Sequence, residues 1–341
     1  MTSTAAFCLL FLTMKSLEEA ELCFPELNSS CRKAMRPHSV SMLTYISLSS
    51  ISLLTVTLNL LVIISISHFK QLHTPTNLLL LSLAVSDFFV GLLMCFEIVL
   101  IEGCWLLGDV MCILYSVLSF IITSASIGTM VLISVDRYVA ICDSLHYPNK
   151  VTQKTVKICV CLCWICSAFL HSLLLKDNLE QPGRYNSCFG ECVVVINYFA
   201  GLADLFLAFI GPVTVIIVLY MRVFVVAVSQ ARVMRSHTAA FSVKCSVRVT
   251  AKKSELKAAR TLGVVIVVFL VCLCPYYCVV LTGQDTLINT SSATFVICLF
   301  YFNSCLNPVI YAFFYPWFRK SIRLIVTLKI LQPGSCETNM M

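Results

Sequence analysis

Seven stretches of the sequence run for the thickness of a lipid bilayer with at most one charged side chain in each. Residues 37–69, 110–135, 158–175, 261–284 and 286–318 hold no Asp, Glu, Lys or Arg; residues 71–96 hold only Asp87, and residues 193–221 only Asp204. A spanning helix needs about 20 mostly apolar residues, so all seven qualify, with 158–175 the shortest. The runs are continuous rather than alternating, which argues against a closed barrel, the one other backbone arrangement that lipid tolerates. The expectation is an all-α seven-transmembrane helix bundle. Only 12% of the chain is charged, against roughly 25% in soluble proteins. That shortage excludes an ordinary soluble enzyme, a disordered regulator and a disulfide-dense secreted module.

The basic residues orient the bundle. With the N-terminus outside, 18 of the 24 Lys and Arg residues fall on the cytoplasmic side, as the positive-inside rule requires. The largest cluster, between Arg222 and Arg260, reads as a face for anionic lipid or a partner protein rather than for nucleic acid. Residues 1–42 are then an extracellular segment, 43–318 the transmembrane domain, and 319–341 an amphipathic helix and cytoplasmic tail. Ala5–Leu12 is a short apolar run with no basic residue before it, unlike a signal peptide; it reads as an outer tail, with Met14 as an alternative start. After Phe318, residues 321–331 place Ile322, Leu324, Ile325 and Leu328 on one side, an eighth helix lying on the membrane. Cys336 is a candidate for palmitoylation.

Most of the 20 cysteines lie inside spans, where a thiol behaves as a small hydrophobe. Six fall at the outer, oxidising face: Cys23, Cys31, Cys104, Cys112, Cys188 and Cys192. A Cys112–Cys192 bridge would pin the long loop before the fifth span over the bundle. A second would join the N-terminal segment to Cys188, from Cys31 in preference to Cys23. Sequons at Asn28 and Asn289 also land outside, as glycosylation requires.

Read in order, the spans carry Asn59; Leu83-Ala84-Val85-Ser86-Asp87; Asp136-Arg137-Tyr138; Trp164; Pro212 and Tyr220; Phe269 and Pro275; and Asn307-Pro308-Val309-Ile310-Tyr311. This set resembles the rhodopsin-like (class A) G-protein-coupled receptors over residues 43–330. The seventh span, from Asn303-Ser304-Cys305 to Tyr315-Pro316-Trp317-Phe318, is similar to the fingerprint of trace amine-associated receptors. So are the N-terminal Cys23-Phe24-Pro25 and Cys31, and the loop Cys188-Phe189-Gly190-Glu191-Cys192. The resemblance implies a non-enzymatic receptor for small amines in the plasma membrane of olfactory sensory neurons. It also implies coupling to a stimulatory, olfactory-type G protein that raises cyclic AMP. Asp136, Arg137, Tyr138, Tyr220, Phe269, Pro275, Pro308 and Tyr311 would then be the activation machinery, with Arg137 held by Asp136 in the inactive state. Asp87 with Ser126, Asn303 and Asn307 would be the family's sodium site; no other metal or cofactor is implied.

An acid within a span is costly and functional by default. Asp204 lies eight residues before Pro212, about 12 Å along a helix, at the depth of a small-ligand pocket. Most amine receptors carry their anchoring Asp on the third span, seven residues after the disulfide cysteine. Here that position is Ser119, and amine recognition is expected to move to Asp204, an exchange that the resemblance ascribes to a subset of the family, chiefly in fish. Ser116, Ser119, Phe120, Tyr276, Tyr277 and Tyr301 would wall the pocket. Glu97 reads either as a solvated acid at a helix end or as the site of a second ammonium. The sixth span has Leu273 where the family's switch Trp stands, although Pro275 keeps the hinge. A retinal device needs a Lys in the seventh span, and residues 286–318 have none, Tyr301 standing at its place. The intact signature motifs argue against a transporter. The closest competitor is a receptor for a neutral odorant or lipid, with Asp204 structural.

Overall fold

The computed structural model describes residues 22–33, 38–101, 104–238, 263–278 and 291–340. Eight helices carry the architecture: α1 His38–His68, α2 Pro75–Ile101, α3 Asp109–Cys142, α4 Gln153–Leu174, a composite α5, α6 Gly263–Cys278, α7 Ser291–Phe314 and α8 Pro316–Val326. α5 is built from Tyr198–Asp204, a π-helical segment Leu205–Ile210, and Gly211–Thr238. Six of the described helices are long and apolar enough to cross a bilayer, and α6 is the shorter seventh. Among the described residues, extended pairing is limited to two isolated bridges at the outer face.

The bundle is apolar outside and polar within, as a lipid solvent dictates. Leu53, Ile165, Phe169, Phe224 and Phe313 are between 63% and 76% exposed, while Asn59, Asp87, Asn303 and Asn307 are buried. α2 packs between α1 and α3, and α3 contacts α4 and α5. Small residues allow close approach: a Cβ on Gly91 of α2 would collide with Thr55 and Val56 of α1, and one on Gly128 of α3 with Cys163 of α4. The central apolar cluster joins Val62, Leu83, Met130, Ile216, Phe269 and Tyr311 from different helices.

Helix ends follow local chemistry. Thr152 caps α4, its hydroxyl accepting from the Thr155 N–H at 3.2 Å. The π-helical segment of α5 lies just before Pro212, which lacks the N–H that a regular ladder needs. α1 begins at His38, inside the stretch 1–42 assigned to the extracellular segment. α8 begins at Pro316 rather than after Phe318, because proline is preorganised for the first helical position. It stops at Val326, and Leu328 then adopts a left-handed φ of 56°. The run of residues 321–331 is therefore not one helix. Asn289, residues 1–21, and most of the basic residues between Arg222 and Arg260 lie outside the described residues.

Candidate ligand pocket and activation core

Three disulfides build the outer face: Cys112–Cys192, Cys31–Cys188 and Cys23–Cys104. The third was not anticipated from sequence. Together they form a closed circuit through the short stretches 23–31, 188–192 and 104–112. Backbone bonds reinforce it: the Cys31 N–H donates to the Phe189 carbonyl at 3.0 Å, and the Trp105 N–H to that of Gly190 at 2.7 Å. Gly190 has φ +95°, and a Cβ there would press on Phe24 at 2.9 Å. Asn28 lies in this segment and is exposed.

Beneath this cap, Asp204 of α5 turns inward. Its Oδ1 lies 3.0 Å from Nε2 of His171 on α4, and His171 is 2% exposed. The imidazole stacks on Phe120 of α3, with ring centroids 5.7 Å apart. Aromatic rings line the neighbouring wall: Tyr277 stacks on Phe209 at 3.7 Å, Tyr276 meets Tyr277 edge-on, and Phe300 lies between Tyr276 and Tyr301. Ser116 donates to its own helix at the Cys112 carbonyl, 2.9 Å away. The Ser119 hydroxyl is buried.

Glu97 is not a solvated acid. It accepts hydrogen bonds from Tyr115 of α3 at 2.5 Å and from Tyr301 of α7 at 3.2 Å. Tyr301, expected as pocket wall, thus also serves as a tie between helices.

At mid-membrane, Asp87 accepts from Ser304 at 2.9 Å and from Asn307 at 2.8 Å. Asn303 makes no bond to it. Ser304 and Asn307 stand three apart on α7 and converge on the carboxylate. Asn303 instead lines a cavity of about 20 Å³ with Ser126, Ser304, Phe269 and Leu273, room for a water-sized occupant. The side-chain oxygens of Asn59, Asn303 and Asn307 are buried without a protein partner.

At the end of the bundle opposite the disulfides, Arg137 binds Asp136 through Nε at 2.9 Å and through its terminal nitrogen. Asp136 also accepts from Thr76 of α2 at 3.0 Å and from Tyr147, in the short helix Tyr147–Lys150, at 2.8 Å. That helix is braced by partly exposed Asp143, whose carboxyl is held below its ordinary range by hydrogen bonds from Lys150 and His146. Tyr220 and Tyr311 hydroxyls are buried without protein partners, and Tyr138 packs near Ile141 and Val223. Phe269 is 1% exposed and packs in the central cluster, as do Leu273 and Ile310. Pro275 lies within α6, and Pro308 within α7.

Residues 58–311 match the family of seven-transmembrane receptors of the rhodopsin family. Over 96% of its length the chain is 38% identical to trace amine-associated receptor 13c of Danio rerio, covering 98% of that protein. It is 36% identical to trace amine-associated receptor 4 of Mus musculus and 38% to trace amine-associated receptor 6 of Homo sapiens, each over 95% of this chain and 96% of the relative. The chain belongs to the trace amine-associated receptors. It is a class A G-protein-coupled receptor, a multi-pass membrane protein and not an enzyme. Its partners are a G protein and a small-molecule ligand.

In this trace amine-associated receptor, sequence reasoning missed His171, Tyr115, Ser304, Thr76 and Tyr147. Of these, His171 had a visible signal: it is the one imidazole in the run 158–175, where a polar side chain needs a partner. Tyr115 and Ser304 had a weaker one, since each stands at helical spacing from a residue already singled out.

Proposed function

We propose that this receptor is activated by a small protonated amine, a trace amine or diamine odorant, and that Asp204 is its anchor. The observation that carries the reading is an inward-facing carboxylate beside a wall of Tyr276, Tyr277 and Phe120. A carboxylate and an ammonium at 4 Å attract by about 4 kcal/mol at an effective dielectric near 20. Aromatic faces add cation–π attraction, and Ser116 and Ser119 can accept from the ammonium. Glu97 is suited to the second ammonium of a diamine. The names of the relatives point to the same ligand class.

An N-terminus on the outside is supported by the disulfides, which form in an oxidising compartment, and by the Asn28 sequon. The resemblance supports coupling to a stimulatory, olfactory-type G protein, a rise in cyclic AMP, and residence in olfactory sensory neurons. Arg137 released from Asp136 would contact the G protein, with Tyr138, Tyr220 and Tyr311 closing behind it and α6 and α7 bending at Pro275 and Pro308. The switch is a two-state equilibrium that the ligand biases.

The residues around Asp87 fit a hard cation, because a carboxylate stands with buried amide oxygens that no protein donor satisfies. Asp87, Ser126, Asn303 and Asn307, joined by Ser304, would hold a sodium ion, which supplies a positive charge that favours the ionised carboxylate.

The test is a cyclic-AMP reporter screen of alkyl amines, diamines and neutral isosteres against wild type and Asp204→Asn. Amines should activate only wild type. A second reading, a neutral odorant or lipid ligand with Asp204 structural, draws support from the His171 contact. It predicts neutral agonists that act equally on both proteins.

A further inference from the structure

His171 is held at both ring nitrogens. Nδ1 lies 2.8 Å from the backbone carbonyl of Ser167, and a carbonyl only accepts, so Nδ1 carries a hydrogen. Nε2 lies 3.0 Å from Asp204 Oδ1. A neutral imidazole with its hydrogen on Nδ1 presents a lone pair at Nε2, and an ionised carboxylate presents only lone pairs. Two lone pairs do not meet at 3.0 Å in a buried site without a proton between them. The pair therefore holds one proton, as imidazolium with carboxylate or as imidazole with carboxylic acid. Its net charge is zero in either form.

The surroundings leave this pairing to His171. Phe120 of α3 fixes the ring plane, with 19° between the stacked rings, and carries no charge. From α6, Tyr276 and Tyr277 lie within electrostatic reach of Asp204, and Glu97 of α2 acts on Tyr276. Lys176, the cation that follows α4, is exposed and turned to Glu180 at 3.6 Å. Among the described residues, the ion-pair partner of Asp204 is His171.

We infer that His171 is the resident counter-ion of the amine anchor, and that binding is an exchange in which an incoming ammonium displaces the proton shared by His171 and Asp204. The reading rests on Asp204 as the amine site. In the exchange, the paired His171 and Asp204, holding one proton, meet R-NH3+. The products are neutral His171, an Asp204 carboxylate bound to R-NH3+, and one proton released to water. Charge balances, and no bond other than that to the proton is broken. His171 is a positioning residue that makes the empty pocket neutral and therefore stable in lipid. It also makes the receptor discriminate against weak cations, because the ligand must outcompete a proton already in place.

The experiment measures EC50 for phenethylamine, isopentylamine and the other primary amines of the panel at external pH 6.5, 7.0 and 7.5. Their ammonium groups stay protonated throughout, so a shift reports the receptor. Release of a proton predicts an EC50 that falls as pH rises, by no more than about tenfold per pH unit, and His171→Gln, which retains an amide donor but no titratable proton, should flatten it. A flat profile in wild type, or the same slope in His171→Gln, overturns the exchange while leaving an Asp204-dependent amine response standing. Should His171→Gln not reach the cell surface, the wild-type slope alone decides. An absent response, or one that survives Asp204→Asn, overturns the amine reading and this inference with it.

Discussion

Tyr115 of α3 donates a 2.5 Å hydrogen bond to Glu97 of α2, and the same carboxylate oxygen accepts from Tyr301 of α7. One acid thereby ties three helices at the mouth of the pocket. Glu97→Ala would leave two buried phenols without their acceptor, at about 1–3 kcal/mol each. The variant should lose thermal stability by several degrees, measured on purified receptor, whereas Glu97→Gln keeps an acceptor and should lose less. If Glu97 also receives a ligand ammonium, Glu97→Gln will weaken diamines while leaving monoamines near their wild-type potency.

The disulfide circuit makes a distinct forecast. With two bridges in place the third closes only the short ring through 23–31, 188–192 and 104–112, whereas each later removal opens a longer loop through the chain, so the first bridge removed costs least. A ring of this size constrains the unfolded chain by about 3 kcal/mol. Cys23→Ser and Cys104→Ser should each lower the melting temperature, and the double variant should resemble the single ones, because both residues belong to one bridge. Additive losses in the double variant would show that Cys23 and Cys104 are not bonded to each other.

Tyr147 reaches Asp136 from outside the bundle at 2.8 Å. A hydrogen bond to a charged group contributes about 1.5 kcal/mol or more, and 1.4 kcal/mol is tenfold in an equilibrium. Tyr147→Phe should therefore raise basal signalling by about tenfold where the active fraction starts small. The check is reporter output without ligand, normalised to surface expression.

The tail folds back on the turn between α1 and α2. Met340 is 1% exposed against Phe69 and Leu72, its N–H donates to Gln71 at 2.9 Å, and Glu337 pairs with Lys70 at 3.1 Å. Glu337 raises the pKa of Lys70 by hydrogen bonding and charge, yet both side chains are exposed, so the pair adds little stability. Met340→Ser should lower thermal stability measurably, and Glu337→Gln should leave it nearly unchanged.

The spans were legible because lipid forces long uncharged runs, and the depth of Asp204 followed from its distance to Pro212. Partners across helices were not legible, because spacing along the chain does not say which faces meet. His171 and Asp204 are 33 positions apart, and their contact depends on how α5 is phased through the segment Leu205–Ile210. Spacing likewise does not separate Ser304 from Asn303, three and four residues before Asn307, as the partner of Asp87. Cys104 was recognised as an outer-face thiol but left unpaired, since six cysteines admit many pairings. Of the two readings of Glu97, the solvated one fails because its two phenolic donors come from other helices.

The relocated amine anchor is the centre of the account. Ser119→Asp combined with Asp204→Asn moves the acid from α5 to α3 within one pocket and should restore part of any amine response lost with Asp204. The most direct measurement is the cyclic-AMP response of Asp204→Asn, at matched surface expression, to the amines that activate wild type. The account predicts that activation is abolished; agonism by the same amines at unchanged potency would contradict it.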